Sequence, residues 1–397
     1  MGWFAWLTVA GWASAVVAAR LVRGGPFVIF VAVFAGVHAL CSVALAPAFA
    51  AVAPVYAALQ VAVFVNFVAL ARPRMRSLPY RLLVSWPAAF FSAGALLGLP
   101  WAVAAAVGHP LPAPWLPFAL AAVGLVQSLT TRHEEVDLVV AGPEGHHAPE
   151  LAPHPRGEPS ASGARPLRIV QITDPHLGPF MSVARLRRIC ARAVQKQPDI
   201  VLLTGDFLTM ESQSDPALLR EALAPLRDLP GRVFACPGNH DHEAPEIVAH
   251  AMRENGIPLL VDDAREIDTP SGRVQIVGVD FVWRERAAHL AKVCAAHPRS
   301  EGALRLVLLH DPGAFRHLPT GHGDLVLSGH THGGQVGLVS LGLAWTFLRL
   351  FGVRIPDHGF WGRGTDRMYV HRGTGHYGFP LRLGVPAEES VLRVHRA

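Results

Sequence analysis

Acidic side chains are all but missing from the first 131 residues of this 397-residue chain; Asp and Glu set in only at Glu134. Over the whole chain 51% of residues are hydrophobic and 16% charged, an unusually apolar balance for a water-soluble protein. The apolar excess sits in the acid-poor stretch, so the sequence divides into a membrane half and a soluble half. The length exceeds one ordinary domain. The expected layout is a multi-span α-helical membrane domain over residues 1–131, a first short strand and flexible linker over 132–166, and a folded soluble domain over 167–397.

Crossing the hydrocarbon core takes about 20 apolar residues. Residues 3–19 meet that length marginally, and 27–71 supply two spans with Pro47 and Pro54 marking the turn. Residues 82–107 and 115–130 supply two more, separated by the proline-rich GHPLPAP, for about five helices. The first segment lacks the basic leader and cleavage site of a signal peptide. Arg20 and Arg23 follow span one, Arg72, Arg74, Arg76 and Arg81 lie between spans three and four, and Arg132 follows span five; the intervening loops hold no Lys or Arg. Positive charge collects on cytoplasmic loops. This places the N-terminus outside and everything after Arg132 in the cytoplasm, in an integral protein of the inner (cytoplasmic) membrane. No charge lies inside a span, which argues against a transporter's ion path or proton relay. His38 and Asn66 are the polar exceptions and read as interhelical hydrogen-bond partners.

The formal charge of +5 is partly this loop arginine, and no basic run with interleaved aromatics accompanies it. Nucleic acid is therefore not an expected partner, nor is a protein partner. Cys41, Cys190, Cys236 and Cys294 show no CxxC spacing and read as buried free thiols in a reducing compartment.

In the soluble half, VDLVV (136–140) reads as a strand. The Pro/Gly/Ala-rich 141–166 reads as a linker, with His146, His147 and His154 as solvated loop residues. From Leu167 short apolar runs recur: LRIVQI, IVLLT, RVFAC, VQIVGV, RLVLLH and LVLS, the type expected of buried strands. Between the first two, Val183, Leu186, Cys190, Ala193 and Val194 follow helical spacing behind Ser182 as N-cap. Strands alternating with helices predict an α/β sandwich.

The chemistry sits at the strand ends. LRIVQI runs into TDPHLG with Asp174 and His176, IVLLT into GD with Asp206, and RVFAC into PGNHD with Asn239, His240 and Asp241. RLVLL ends in His310, and LVLS opens LSGHTHGGQV with His330 and His332. Any one of these alone reads as a turn or cap. Together, five successive strand ends deliver imidazole, carboxylate or amide groups to the carboxyl rim of the sheet, where α/β proteins build their sites. His330 and His332 accordingly read as metal ligands.

The order D-x-H, GD, GNHD, H, GHxH resembles the calcineurin-like metallophosphoesterase superfamily over residues 167–397. ITDPHLG, GHTHGGQV and RGTGHYGFPLRLGVPAE look more particularly like its membrane-associated branch, which includes enzymes acting on UDP-2,3-diacylglucosamine, a lipid A precursor. The resemblance assigns Asp174, His176, Asp206 and His332 to one metal, and Asp206, Asn239, His310 and His330 to a second, with Asp206 bridging. Mixed imidazole and carboxylate ligands suit two divalent ions of Mn, Fe or Zn. Two such ions can generate a bridging hydroxide and clamp both oxygens of a phosphoryl transfer. His240 is then left to face substrate, donating to the phosphate or the leaving oxygen, with Asp241 orienting it. The chain departs from the family pattern at Thr209, three positions after the GD aspartate, where another acid is usual, and at Pro175; neither removes a ligand. Gly373, Gly375 and Gly378 satisfy GxGxxG, but prolines at 380 and 386 bar the helix that fingerprint needs. The loop is a candidate phosphate neighbour, with Arg382 as the anion partner.

The leading expectation is a membrane-anchored, metal-dependent phosphoric ester or pyrophosphate hydrolase acting on a lipid-linked phosphodiester or pyrophosphate. Protein phosphatase, nucleotide phosphodiesterase and nuclease remain alternatives within the enzyme class, and a membrane scaffold with a structural metal outside it. GLVSLGLAWTFLRLFGV (337–353) reads either as buried core or as an acyl-chain patch beside the metals. Trp345 and Phe347 are its candidate substrate contacts.

Overall fold

The structure, a computed structural model, describes residues 2–140, 148–157 and 165–396. His146 and His147 lie outside the described residues. The chain forms two compact units, Met1–Leu129 with Met210–Ser212 and Tyr377–Leu383, and Thr130–Thr209 with Gln213–His376 and Gly384–Ala397.

The first unit is built from α1 (Trp3–Val22), α2 (Gly25–Leu45), α3 (Ala53–Leu70), α4 (Leu78–Leu97), α5 (Leu99–Ala106) and α6 (Leu116–Ser128). Among the described residues three stretches are long and apolar enough to cross a membrane: Trp3–Val22, the 46-residue run Gly25–Leu70, and Leu78–Leu97. The long run is not one rod. Phe49 leaves helical geometry (φ −113°, ψ 21°), and His38 Nε2 lies 3.0 Å from Gln60 Oε1 although 22 positions separate them. A straight helix would hold them about 33 Å apart, so α2 and α3 fold back as a hairpin. The expected fourth span breaks at Gly98, ahead of Pro100. The expected fifth span is α6, whose 13 residues reach about 20 Å, short of the roughly 30 Å hydrocarbon core.

This unit is apolar outside and packs an apolar core that encloses a few polar groups. Leu21, Leu40 and Leu83 are exposed, whereas Thr8, His38, Ser42 and Gln60 are buried. Gln60 links the helices: its Oε1 accepts from His38 Nε2 on α2, its Nε2 donates to Thr8 Oγ1 on α1 at 3.3 Å, and Thr8 donates on to the Phe4 carbonyl at 2.9 Å. Ser85 on α4 donates to Asn66 on α3 at 3.1 Å. His38 and Asn66 thus both bond between helices, the use expected of polar groups in lipid. The Phe67 ring near the end of α3 packs 6.4 Å from Phe30 near the start of α2. Arg23, just before α2, and Arg72, just after α3, therefore lie at one end of the bundle.

The second unit is a sandwich of two sheets. One has the order β1-β12-β3-β4-β5, from Thr131–Val140, Ala387–Arg396, Leu167–Ile172, Ile200–Thr204 and Val233–Cys236. The other has the order β2-β10-β11-β9-β8-β7-β6, from Ala148–Pro153, Gly359–Gly364, Asp366–Val370, Leu325–Ser328, Leu304–Leu308, Gly272–Gly278 and Asp263–Thr269. β3, β4 and β5 run parallel, as do β7, β8 and β9. Side chains alternate between strand faces. Leu304, Leu306 and Leu308 of β8 point into the inter-sheet core with Ile169, Leu202 and Phe234. Val307 points the other way, against Leu290 and Val293 of the helix Arg286–Ala296. Helix Val183–Gln195 starts as the sequence predicts, the Ser182 hydroxyl accepting the Arg185 N–H at 3.2 Å. All four cysteines are free and buried.

Candidate metal centre

Parallel strands in each sheet end at the same rim, and the chain turns sharply there. Of the ten non-glycine residues with positive φ among the described residues, five are Asp174, His176, Asp206, His330 and His332. Such conformations cost about 1–3 kcal/mol each and collect at functional sites. Glycines permit the crowding. A Cβ on Gly205 (φ +91°) would meet Gly238 N at 2.5 Å, and one on Gly329 would meet Asp174 Oδ2 at 2.1 Å.

The turns bring two sets of ligand atoms together, Asp174 with His176 and His332, and Asp206 with His310 and His330, each set within 4.8 Å. The first set draws on both sheets, since Asp174 and His176 follow β3 whereas His332 follows β9. Asp206 Oδ2 lies between the sets, 3.2 Å from His310 Nε2 and 3.7 Å from His176 Nε2. Asp174 Oδ1 is 3.5 Å from His332 Nε2 and 4.0 Å from His310 Nε2.

The outer hydrogen bonds turn the lone pairs inward. His176 Nδ1 donates to the Leu208 carbonyl (3.3 Å) and His310 Nδ1 to the Thr204 carbonyl (2.7 Å). That fixes the tautomer in which Nε2 is the acceptor, the arrangement typical of metal-binding histidine. Thr173 donates to Asp174 Oδ2 at 2.8 Å, and the His330 N–H to both Asp174 oxygens at 3.0 Å. The His240 N–H donates to Asp206 Oδ1 at 2.8 Å.

Three observations fit cations to these sets. His176 Nε2 and His332 Nε2 face each other at 3.2 Å, close to the roughly 3.3 Å expected of two nitrogens bound to one ion at about 2.05 Å. His310 Nε2 and Asn239 Oδ1 are buried and have no hydrogen-bond partner among the described residues. Asp174 and Asp206 are almost wholly buried, and buried charge demands a counter-charge. The electrostatics agree. Burial pushes the Asp174 carboxyl up and the His176 imidazole down to about 3. Burial alone would also lower His310, yet Asp206 and Asp174 raise it to about 10.

Two expectations need revising. Asp241 does not orient His240. Its oxygens accept the backbone N–H groups of Asp206 (2.8 Å), Phe207 (2.9 Å) and Gly238 (2.8 Å), so it shapes the loops that carry the ligands. His240 Nδ1 instead meets Glu243 Oε1 at 2.7 Å, a contact that the three-residue spacing in NHDHE could have signalled. Arg382 belongs to the helical unit, where it is fully buried and its backbone N–H donates to Ser128 Oγ at 2.8 Å. A guanidinium with no exposed surface is poorly suited to meeting a soluble phosphate. Phe281, which no motif singles out, packs its ring 6.5 Å from His310 and 6.1 Å from His330. In the glycine-rich loop no helix follows, and the Gly375 N–H donates to the Asp174 carbonyl at 2.9 Å. Trp345 and Phe347 are 58% and 49% exposed, which removes the buried-core reading of their segment.

Residues 167–334 match the calcineurin-like phosphoesterase family. Over 236 residues the chain is 31% identical to the phosphodiesterase YaeI of Escherichia coli (strain K12), spanning 58% of this chain and 83% of that protein. It is 30% identical to an uncharacterized metallophosphoesterase of Helicobacter pylori (strain J99), over 57% of this chain and 60% of the other. It is 29% identical to a transmembrane protein with metallophosphoesterase domain from Danio rerio, over 58% of this chain and 54% of the other.

Proposed function

Because the chain belongs to the calcineurin-like metallophosphoesterase family, whose members are metal-dependent phosphoester hydrolases, we propose that it cleaves a phosphodiester or pyrophosphate bond in a lipid-linked substrate at the cytoplasmic face of the inner membrane. Asp174, His176 and His332 would hold one divalent ion and His310, His330 and Asn239 the other, with Asp206 shared. Imidazole and carboxylate donors without thiolate suit Mn, Fe or Zn. Bound there, such ions supply Lewis acidity toward a phosphoryl oxygen and lower the pKa of water. The chain's own part is to orient. Asp241 holds the loop amides in place, and His240, 28% exposed at its side chain, stands at the rim to donate to a phosphate or leaving oxygen. The phosphodiesterase name of the Escherichia coli relative favours a diester.

The lipid reading is carried by one observation. Directly after the His330/His332 turn, Leu341, Trp345, Phe347, Leu350 and Phe351 are between 49% and 74% exposed. This is not a frayed loop. The Leu338 N–H donates to the Trp345 carbonyl (2.8 Å) and the Phe347 N–H to the Val336 carbonyl (2.7 Å). Arg349 reaches buried Asp357 at 2.8 Å, and the Asp357 carbonyl accepts the hydroxyl of Thr331, between the two ligand histidines, at 2.7 Å. Polar groups anchor the segment from beneath while its large apolar side chains face out, the reverse of a soluble surface and a mark of an interaction site. Membrane-spanning helices in the same chain supply the acyl-rich surroundings.

Trp345→Glu and Phe347→Glu are expected to lower turnover of a lipid-linked diester about tenfold or more, while bis-p-nitrophenyl phosphate hydrolysis and thermal stability hold. Exposed substitutions of this kind shift stability by about 0.5 kcal/mol at most. Equal loss on both substrates would remove the lipid assignment and leave the hydrolase one.

A further inference from the structure

We propose that Glu243 is a positioning residue that fixes the His240 imidazole above the ligand sets, braced in turn by Gln213; the inference rests on the hydrolase reading above. The short turn Asp241–Glu243 comes after GNH, and each of its side chains has a different employment. Asp241 takes three backbone amides, His242 Nε2 meets Asp280 Oδ1 at 3.0 Å, and Glu243 Oε1 meets His240 Nδ1 at 2.7 Å. The other Glu243 oxygen accepts from Gln213 Nε2 at 2.8 Å. Thr209, where family members often carry an acid, points its hydroxyl to the Leu177 carbonyl at 2.8 Å. The acid for His240 comes instead from four residues beyond Asn239, along the same loop.

The geometry assigns the pair to orientation rather than to stability. The His240 ring stands 5.6 Å from that of His176, and its backbone N–H is held by Asp206. Two rotatable bonds, χ1 and χ2, separate that held backbone from the ring, at a rim where a small misplacement costs much of the rate. A carboxylate only accepts, so the bond to Glu243 places the hydrogen on Nδ1 and leaves the Nε2 edge as the one that would meet a phosphate oxygen. The side chains of His240 and Glu243 are 28% and 35% exposed, and ion pairs that wet contribute about 0–1 kcal/mol to folding. A purely structural role therefore predicts almost nothing for turnover.

A double-mutant cycle on the full-length, Mn²⁺-loaded protein separates the two, with bis-p-nitrophenyl phosphate as substrate. Glu243→Ala should lower kcat about tenfold in the native background and less than about twofold beside His240→Ala, since contacting residues couple strongly. Metal content and melting temperature should not move. Glu243→Gln should recover most of the rate, because an amide oxygen accepts the same bond, and Gln213→Ala should cost a smaller factor in the same direction. Equal losses from Glu243→Ala in both backgrounds, or loss of metal, would overturn the assignment. If the unaltered protein turns over no phosphomonoester, diester or pyrophosphate, the hydrolase reading falls first. The same cycle is then read on affinity for inorganic phosphate by calorimetry, where additive effects again refute the coupling.

Discussion

Two buried histidines, one in each unit, carry opposite meanings. His38 in the helical unit and His310 in the sandwich are 0% and 2% exposed, and burial alone does not tell them apart. His38 gives Nε2 to Gln60 at 3.0 Å, and Gln60 passes the chain on to Thr8. Its Nδ1 has no partner among the described residues, but no second ligand atom joins it there. His310 gives Nδ1 to a carbonyl, and its Nε2 stands 3.2 Å from Asp206 Oδ2 without the alignment of a hydrogen bond. Around it converge a second set and a shared carboxylate. Acceptors aimed at one point with no donor among them mark a cation site, whereas an isolated buried imidazole bonded to an amide marks helix packing.

The sharpest way to break this contrast is at Asp206. If its oxygens serve both sets, Asp206→Asn is expected to empty both metal sites and lower turnover by about 10³ or more, since ligand and chemistry fail together. His240→Ala is expected to cost about 10²-fold, the scale of a lost acid or hydrogen-bond donor, with both metals retained. Elemental analysis of the purified variants checks both. A His240→Ala protein as metal-poor as Asp206→Asn would make His240 a ligand and collapse the division of roles.

The ligands are readable from the sequence because the sandwich delivers them from the ends of short, largely apolar, buried strands. β4 and β9 are buried along their whole length, and the polar residue after such a run is forced to the rim. β12 leaves no such trace. It lies between β1 and β3, yet reads AEESVLRVHR, because its charges are answered by partners far away in sequence. Glu389 accepts from Arg192 at 2.6 Å across 197 positions, and Arg393 bonds Asp137 across 256. β10 is hidden by Gly359, Gly362 and Gly364, which dilute any apolar alternation. Glu243 leaves only its three-residue spacing from His240 as a signal, because its role also depends on the turn conformation at Asp241–Glu243, which hands Asp241 to the backbone amides. In the helical unit length and apolarity are plain, but the break at Gly98 and the shortness of α6 depend on local backbone geometry.

The same contrast extends to what each unit shows to its surroundings. The helical unit exposes Leu21, Leu40 and Leu83, 74–79% accessible, and its arginine-bearing turns share one end. If positive charge stays cytoplasmic, a cysteine introduced near Pro112 should be labelled in intact cells by an impermeant maleimide, and one near Gly157 should react only after lysis. The four native thiols are buried and should contribute little background. The reverse pattern would put the metal-ligand domain outside the cytoplasmic membrane and end the cytoplasmic-leaflet proposal.

The smallest expected effect tests the other side of the contrast, that His38 does nothing but pack. The His38 ring lies 5.4 Å from that of Phe91 and 6.3 Å from that of Phe64, edge-on to both, so His38→Phe roughly keeps the volume and removes only the bond to Gln60. Interhelical hydrogen bonds in membranes are worth about 0.6 kcal/mol on average and about 1.7 at most. The unfolded-in-membrane chain also finds polar partners, which is why the loss is smaller than for an orphaned acceptor in a water-soluble core, about 1–3 kcal/mol. Unfolding in mixed micelles should show that modest loss, and His38→Phe with Gln60→Leu should recover part of it by removing the stranded amide. Metal content and hydrolysis of bis-p-nitrophenyl phosphate should stay within about twofold of the unaltered protein, the scatter expected for independent sites. A His38→Phe protein that kept its fold but lost metal or turnover would mean that the imidazole in the helices acts on the one in the sandwich, and the two histidines could no longer be read apart.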